Sequence, residues 1–258
     1  MSRVYRTLSR MPIGDSYVPL HKVGHLSPLA VIDNSTYEWY HLAPPRVMLC
    51  CVSVGLSEFT AHDVERVFEP IEQLTAQLVE RGVDIVVQGG VPLPILIGQA
   101  ALRRVLDRIE SVGKVPATST VLCVVEAARA LGLRRIAVAN KWSDSMNRSL
   151  ASFFADGDVE VLGWQARSMA PAEFQRLRSD EGADLAYELG RAALAAQPDA
   201  DGLYIGGGAW LTLPATLRLE QEFGKPVINN QVSVVWSVCR QLGCWQPRPS
   251  LGQLMALA

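Results

Sequence analysis

Two stretches of the chain carry the same pattern: Asp84-Ile-Val-Val-Gln-Gly89-Gly90 and Asp201-Gly-Leu-Tyr-Ile-Gly206-Gly207-Gly208. Each is a short apolar run that follows a helical segment and ends in glycines. Glycines at the end of a strand leave space, allow a positive φ and expose backbone N–H groups to a ligand. The repeated pattern therefore predicts a site between two copies of one structural unit.

Further features recur in the same order after each glycine cluster. Gly113-Lys114 is followed by the polar segment 118–120, and Gly224-Lys225 is followed by the polar segment 229–231. The helices predicted next match in length, in one arginine and in a Leu-Gly end. Strands and helices alternate throughout, which indicates an α/β fold with parallel strands and right-handed crossovers.

The repeat divides the chain into two halves. We expect an N-terminal arm over residues 1–21, lobes over residues 22–132 and 133–243, and a C-terminal tail over residues 244–258. A pseudo-twofold axis would relate the two lobes. Because ligands of open parallel sheets bind beyond the carboxyl ends of the strands, the site is expected in a cleft between the lobes.

Two segments of the first half carry their own predictions. Residues 27–45 follow the first strand and are expected to be a loop that overhangs the cleft. Thr60 is expected to be the N-cap of a helix that runs to about Arg81. The first segment is of interest because it holds side chains suited to acid–base chemistry.

Composition narrows the class of protein. The 258 residues are 49% hydrophobic, enough for one large domain or two small ones. A net charge of −2 gives no indication of nucleic acid or an acidic membrane as partner. No apolar run approaches the roughly 20 residues that span a bilayer, and the first 19 residues lack an apolar signal core. We expect a cytoplasmic protein.

The chain has five cysteines, an odd number without zinc-binding spacing. They are predicted to be free thiols of a reducing compartment, and no metal site is expected. The glycines 206–208 lack the Gly-x-Gly-x-x-Gly spacing, and a Walker lysine is missing, so no nucleotide cofactor is predicted.

Hydroxyl and amide side chains stand at the predicted strand ends and suit a small carboxylate. The alternative is that they cap the following helices, with Thr120 and Asn230 at the N-cap positions. Both roles are compatible, because the N-terminus of a helix is itself an anion site. The side chains in question are Thr118, Ser119, Thr120, Asn229 and Asn230.

Several of these stretches resemble the aspartate/glutamate racemase superfamily, and within it the group of arylmalonate decarboxylases and maleate cis–trans isomerases. They are the repeated halves, the segment Gly206-Gly-Gly-Ala-Trp-Leu-Thr-Leu213-Pro, the run over 129–139 and Asn147 with its following helix. The resemblance covers about residues 22–243. It implies cofactor- and metal-independent chemistry on a small carboxylate or carbonyl compound, in a homodimer or higher homo-oligomer.

The resemblance also implies a cysteine at one or both of the two strand ends. The first position falls on Gly89 or Gly90 and the second on Gly206 or Gly207, so we expect an enzyme without catalytic cysteine. Where the family often has a tyrosine, this chain has Trp142. The substrate-binding positions that follow are Gly89, Gly90, Val91, Trp142, Gly206, Gly207 and Gly208, beside the polar side chains named above.

Three side chains are candidates for the chemistry that the cysteines would perform. His25 and Glu38, which lie in the 25–41 segment, are of the types that transfer protons. Lys141 could anchor a carboxylate, or act as a base if burial lowers its pKa. The alternative for each is an ordinary solvated or capping residue.

The expected reaction is a decarboxylase-like or isomerase-like step through an enolate-type intermediate, with glycine N–H groups at residues 90 and 207–208 stabilising the oxyanion. Two alternatives remain open. One is a hydrolase or hydratase that uses water in the vacated cysteine positions. The other is a pseudoenzyme that binds a small ligand without chemistry.

Overall fold

The computed structural model of the chain describes residues 18–56 and 69–258. The first half contains β1 (His21–Leu29), α1 (Asn34–Leu42), β2 (Val47–Leu56), α2 (Ile71–Glu80), β3 (Ile85–Gln88), α3 (Pro92–Gly113), β4 (Ala117–Ser119) and α4 (Thr120–Ala130). The second contains β5 (Arg135–Asn140), α5 (Asp144–Ala155), β6 (Glu160–Ala166), α6 (Pro171–Phe174), α7 (Ser179–Ala196), β7 (Gly202–Ile205), α8 (Leu213–Phe223), β8 (Val227–Asn229) and α9 (Asn230–Gln241).

The strands form two parallel four-stranded sheets with the same internal order, β2-β1-β3-β4 and β6-β5-β7-β8. The predicted α/β fold with two pseudosymmetric parallel sheets is confirmed. In each half the glycine-ended strand, β3 or β7, lies inside the sheet and is buried along its whole length. Such strands read as continuous apolar runs because helices cover both faces of the sheet.

The aspartate that opens each repeated stretch has the same role in both halves. Asp84 Oδ2 accepts a hydrogen bond from the backbone N–H of Lys22 at 2.8 Å. Asp201 Oδ2 accepts from the N–H groups of Arg134 at 2.9 Å and Arg135 at 2.7 Å. Each carboxylate therefore joins the start of one central strand to the start of its neighbour, which explains why the acid recurs.

The two halves share one hydrophobic core. The equivalent helices α4 and α9 pack against each other, and their buried side chains, Val124 and Val235 among them, belong to one cluster with strand residues of both sheets. A second, smaller cluster lies between the second sheet, α7 and α8. The shared core holds the carboxyl ends of the two sets of strands together.

The segment 27–45 is not the loop that we predict from the sequence, because it contains α1. Asp33 is the N-cap and its side chain accepts from the N–H of Asn34, while Trp39 and Leu42 are buried on one face. The many polar and aromatic side chains of this segment hide its helical pattern. The predicted N-cap Thr60 lies outside the described residues.

The predicted N-caps Thr120 and Asn230 are each wrong by one residue. Ser119 Oγ accepts from the N–H of Leu122, and Asn229 Oδ1 accepts from the N–H groups at 231 and 232. Aligning the repeats on their Gly-Lys pairs equates Ser119 with Asn230, whereas the structure equates it with Asn229. The second repeat has one residue fewer between the lysine and the cap. Within the described residues, no helix is both long and apolar enough to cross a membrane.

Candidate active site

The two glycine ends have the same backbone geometry. Gly89 donates its N–H to Leu26 O, and Gly206 donates its N–H to Ala139 O, both at 2.8 Å, so the first glycine of each end still belongs to the sheet. The next glycine has a positive φ in both halves, 83° at Gly90 and 110° at Gly207. Because glycine adopts a positive φ without strain, the backbone can turn away from the sheet at the end of each of these two strands.

A cleft lies between these two ends and encloses about 720 Å³ of empty space, including the part open to solvent. Nine of the fifteen residues predicted for the site line this cleft. They are His25, Gly90, Val91, Thr120, Lys141, Trp142, Gly207, Gly208 and Asn230.

The other six predicted residues lie behind the lining, and each has a structural partner. Gly89 and Gly206 donate to neighbouring strands, and Ser119 and Asn229 cap helices, as described above. Thr118 Oγ1 lies 3.6 Å from the Sγ of Cys123. These residues position the cleft wall rather than forming it.

Lys141 is the most unusual side chain of the cleft. It follows directly after β5, is 2% exposed, and its Nζ has no hydrogen-bond partner among the described residues. Burial lowers the pKa of its ammonium group well below the usual range, because water no longer stabilises the charge. The face of Trp210, 3.7 Å away, and that of Phe174, 5.4 Å away, partly offset this by attracting the cation.

Two asparagines hold the backbone around Lys141. The side chains of Asn140 and Asn147 are fully buried and bonded to each other, with Nδ2 of Asn140 2.6 Å from Oδ1 of Asn147. Asn140 Oδ1 also accepts from the N–H of Trp142 at 3.0 Å, and Lys141 O accepts from the N–H of Met169 at 3.1 Å. The lysine thus extends from a fixed turn, and its burial does not depend on a flexible loop.

His25 belongs to β1 and lines the cleft from the first half. The residue as a whole is partly exposed, but its Nδ1 is buried without a hydrogen-bond partner in the described part of the chain. Burial lowers the pKa of the imidazole to about 4. The ring is therefore neutral at neutral pH and has one nitrogen that can accept a proton and one that can donate.

Glu38 does not lie where the proposed proton transfer would need it. Its carboxylate accepts from the N–H groups of Thr212 at 2.6 Å and Leu213 at 2.7 Å, and from the Thr212 hydroxyl at 3.1 Å. Glu38 is buried at the start of α8 and is absent from the cleft lining. It joins α1 to the second half, and the geometry supports a structural role.

Beyond His25, the end of β1, the turn that follows it and the start of α1 form a part of the cleft wall whose individual lining residues the sequence does not predict. Pro28, Ile32 and Ser35 line the cleft, and Ser35 Oγ donates to Gly208 O at 3.1 Å. Phe174 of the four-residue helix α6 also lines it. No sequence signal marks Phe174, because only the tertiary structure brings its ring centroid to 5.4 Å from Lys141 Nζ.

The five cysteines lie elsewhere. Two are in β2, one in α4, one in α9 and one after α9, and none lines the described cleft. Burial raises the pKa of the fully buried Cys123 thiol to about 11. The described residues also contain no cluster of three or more His, Cys, Asp or Glu side chains that could hold a metal ion.

Comparison with known proteins gives concordant matches. Residues 40–255 match the model of the family described as arylmalonate decarboxylase. Arylmalonate decarboxylase of Bordetella bronchiseptica is 28% identical over 211 residues, which cover 81% of this chain and 87% of that protein.

Solved structures agree with these sequence matches. A crystal structure of a glycine-to-cysteine, cysteine-to-serine double variant of arylmalonate decarboxylase in the liganded form has a TM-score of 0.82 and 25% identity, covering 91% of this chain and 98% of that one. A variant of the maleate isomerase Iso from Pseudomonas putida S16, crystallised with maleate, has a TM-score of 0.78 at 18% identity, covering 92% and 97%. The second likeness concerns the fold alone. The predicted resemblance is confirmed by the family model and by the arylmalonate decarboxylase relatives.

Proposed function

The chain belongs to the arylmalonate decarboxylase family, and we propose that it is a cofactor-independent enzyme that acts on a small carboxylate compound through an enolate-type intermediate, without a catalytic cysteine. The observation that carries this proposal is the amine of Lys141, which lies in the cleft between the two glycine ends and has no hydrogen-bond partner among the described residues. A buried basic group without a counter-charge is costly, and a substrate carboxylate would supply the missing partner.

The rest of the cleft suits an anionic intermediate. Among the described residues, the backbone N–H groups of Gly90, Gly207 and Gly208 donate to no backbone carbonyl, and all three glycines line the cleft. Helices α4 and α9 begin there, with Thr120 and Asn230 as their first residues. N–H groups and helix N-termini that are fixed in advance stabilise an oxyanion without reorganisation.

The absence of cysteine from the cleft supports a thiol-independent reaction. The chain has glycine at residues 89–90 and 206–207, where the family resemblance implies the catalytic thiols. The buried Cys123 lies behind Thr118, and its raised pKa makes thiolate formation unfavourable.

We assign proton transfer to His25. In the free protein its imidazole is neutral and a weak base. An enediolate bound near the ring would favour the imidazolium and raise the pKa toward its ordinary value. His25 would then take a proton from water and pass it to the enolate carbon. When CO₂ leaves as a neutral molecule, its electron pair stays on that carbon and is delocalised into the remaining carboxylate.

Turnover of a phenylmalonate and of maleate tests the proposal. CO₂ release and proton NMR would identify the product, and Lys141→Met would be compared with Lys114→Met, which changes an exposed lysine. We expect Lys141→Met to reduce turnover by about 100-fold or more, the usual range for removing a group that stabilises charge in the transition state, and Lys114→Met to have no effect.

Iodoacetamide treatment completes this experiment. We expect full activity after alkylation of the accessible thiols. Inactivation that substrate prevents would refute the thiol-independent mechanism. A melting-temperature shift with both acids but no product from either would indicate a binding protein instead of an enzyme.

A further inference from the structure

The geometry around Lys141 points to a second activity of the same cleft: we propose that Lys141 Nζ forms an imine with 3-oxo acids and decarboxylates them through a covalent intermediate. This inference rests on the proposed function only in that the cleft must bind a small carboxylate. The inference differs from the proposed function because the lysine forms a covalent bond to the substrate and does not only pair with its carboxylate.

Among the described residues, Lys141 is the lysine whose amine has neither a polar partner nor exposure to water. Lys22 Nζ donates to Arg81 O at 2.8 Å, and Lys225 Nζ donates to Pro198 O at 2.6 Å and to Ala200 O at 2.7 Å. Lys114 is exposed. The amine of Lys141 is buried, lines the cleft, and has no carboxylate of the described residues within 4 Å. Neither a salt bridge nor a structural hydrogen bond explains its burial.

The missing side chain of Gly207 leaves one approach to this amine uncovered. A β-carbon at residue 207 would lie 3.5 Å from Lys141 Nζ and 3.4 Å from Trp210 Nε1, so any side chain there would cover the amine. Gly207 and Lys141 both line the cleft, and a substrate carbonyl could therefore approach the amine past the glycine backbone. Reactive atoms held about 3–3.5 Å apart are in near-attack geometry.

The surroundings of Lys141 Nζ suit both the neutral amine that attacks the substrate and the iminium cation that forms from it. Removal from water favours the neutral amine, which is the nucleophilic form. The iminium that follows is a cation without a carboxylate beside it, and the faces of Trp210 and Phe174 would stabilise it. Trp210 is held in place, because its Nε1–H donates to Gly207 O at 3.2 Å.

The N-termini of α4 and α9 offer a binding site for the carboxylate of a 3-oxo acid. Thr120 begins α4 and Asn230 begins α9, both helices are more than ten residues long, and both residues line the cleft. The positive ends of the two helix dipoles favour an anion there. Asn230 is fixed through its Oδ1, which accepts from the Tyr204 hydroxyl at 2.7 Å. Its Nδ2 has no hydrogen-bond partner in the part of the chain that the structure describes, so it can donate to a carboxylate.

The reaction needs no oxidant or further reactant. The amine lone pair attacks the carbonyl carbon, the oxygen is protonated and leaves as water, and a protonated imine remains. The bond to the carboxylate breaks, CO₂ departs, and its electron pair forms an enamine as the imine π electrons return to nitrogen. The enamine carbon takes a proton from water, and hydrolysis releases the ketone and the free amine. One CO₂ is lost and one proton is consumed.

Reductive trapping tests the covalent step. The full chain would be incubated with acetoacetate and treated with sodium borohydride, and the product would be analysed by intact mass and peptide mapping. We expect one isopropyl group per chain on the peptide that contains Lys141, together with CO₂ release that is faster than from acetoacetate without protein, because acetone formed by spontaneous decarboxylation would give the same adduct. Borohydride alone should add nothing.

Two variants serve as controls. Lys114→Met should be labelled like the wild type, and Lys141→Arg, which keeps the charge but cannot form this imine, should not be labelled. No adduct on the wild-type chain, or an adduct on any other lysine, would overturn the inference. The wild-type peptide map decides this even if the arginine variant does not fold.

The outcome also separates this inference from the proposed function. Turnover of phenylmalonate or maleate in the same preparation, without any borohydride adduct, would leave the enolate chemistry standing and reject the imine. An adduct without turnover of either acid would support the imine and reject the proposed function.

Discussion

The two glycine ends share a backbone geometry but differ at the second glycine. In both halves the first glycine is closed in: a side chain at Gly89 would lie 2.6 Å from the His25 ring, and one at Gly206 would lie 2.9 Å from Trp142. At the second glycine, Pro28 would be 2.9 Å from a side chain at Gly90, whereas the closest atom to one at Gly207 is 3.4 Å away.

This difference shows how a symmetric scaffold comes to carry asymmetric chemistry. The strand order, the hydrogen bonds of the first glycines and the positive φ angles are repeated. The side chains that contact these ends from the neighbouring strand are not repeated. In the first half β1 contributes His25 and Pro28, and in the second half the turn after β5 contributes Lys141. At the first end protein atoms crowd both glycines, whereas at the second end Gly207 could carry a side chain, which would lie 3.5 Å from the Lys141 amine.

The largest effect on stability is expected when a side chain is added to the first, closed glycine end. In Gly89→Ala the new methyl carbon would lie 2.7 Å from Leu26 O, which cannot move away because it accepts the N–H of residue 89. Overpacking against backbone should lower the free energy of unfolding by about 3 kcal/mol. Urea denaturation would measure it, with Gly208→Ala, whose nearest atom is 3.7 Å away, as the control. Equal effects of both changes would contradict the described difference in space.

A smaller loss of stability is expected at acidic pH, and it comes from His25, the side chain that closes the first glycine end. The pKa of His25 is lowered from 6.5 to about 4 in the folded protein, so below pH 6.5 the unfolded chain binds a proton that the folded chain does not. Stability from this group should therefore fall as pH decreases from 6.5 to about 4, and it should be unaffected above 6.5. We expect a loss of about 2 kcal/mol, less than the full shift would give because the residue is partly exposed.

His25→Gln isolates this contribution, since glutamine does not titrate. Denaturation curves at several pH values should show a shallower acid dependence for the variant than for the wild type. Parallel curves would mean that the imidazole is protonated in the folded protein as readily as in the unfolded chain.

The smallest effect on stability is expected at the open end. In Gly207→Ala the methyl carbon fits, so the remaining cost is the positive φ of 110°, about 1–2 kcal/mol. The methyl group would occupy the space beside Lys141 Nζ, so binding of small acids and borohydride trapping should both be lost. Calorimetric titration with phenylmalonate would check this. Unchanged binding by a folded variant would show that the ligand does not use this space.

Much of the fold could be predicted because its signals are local. The repeated aspartates, apolar runs and glycines each describe a single strand and its two ends, and together they imply two sheets of the same order. The predictions failed where a contact between distant segments decides the outcome. Glu38 is the right type for proton transfer, but Thr212 and Leu213 of the other half bind its carboxylate. Both N-caps lie one residue earlier than predicted, because Ser119 and Asn229 supply the side-chain oxygens that accept from the first turns of α4 and α9.

By itself, the sequence determined the two-sheet architecture, the position of the cleft and the glycines at both strand ends, because backbone conformation and burial pattern follow from residues close together in the chain. Only the tertiary structure decided which end is closed and which is open. The burial of Lys141, its missing polar partner and the space next to its amine depend on Phe174, Gly207 and Trp210. These residues are more than thirty positions away in sequence, and packing alone brings them to the lysine.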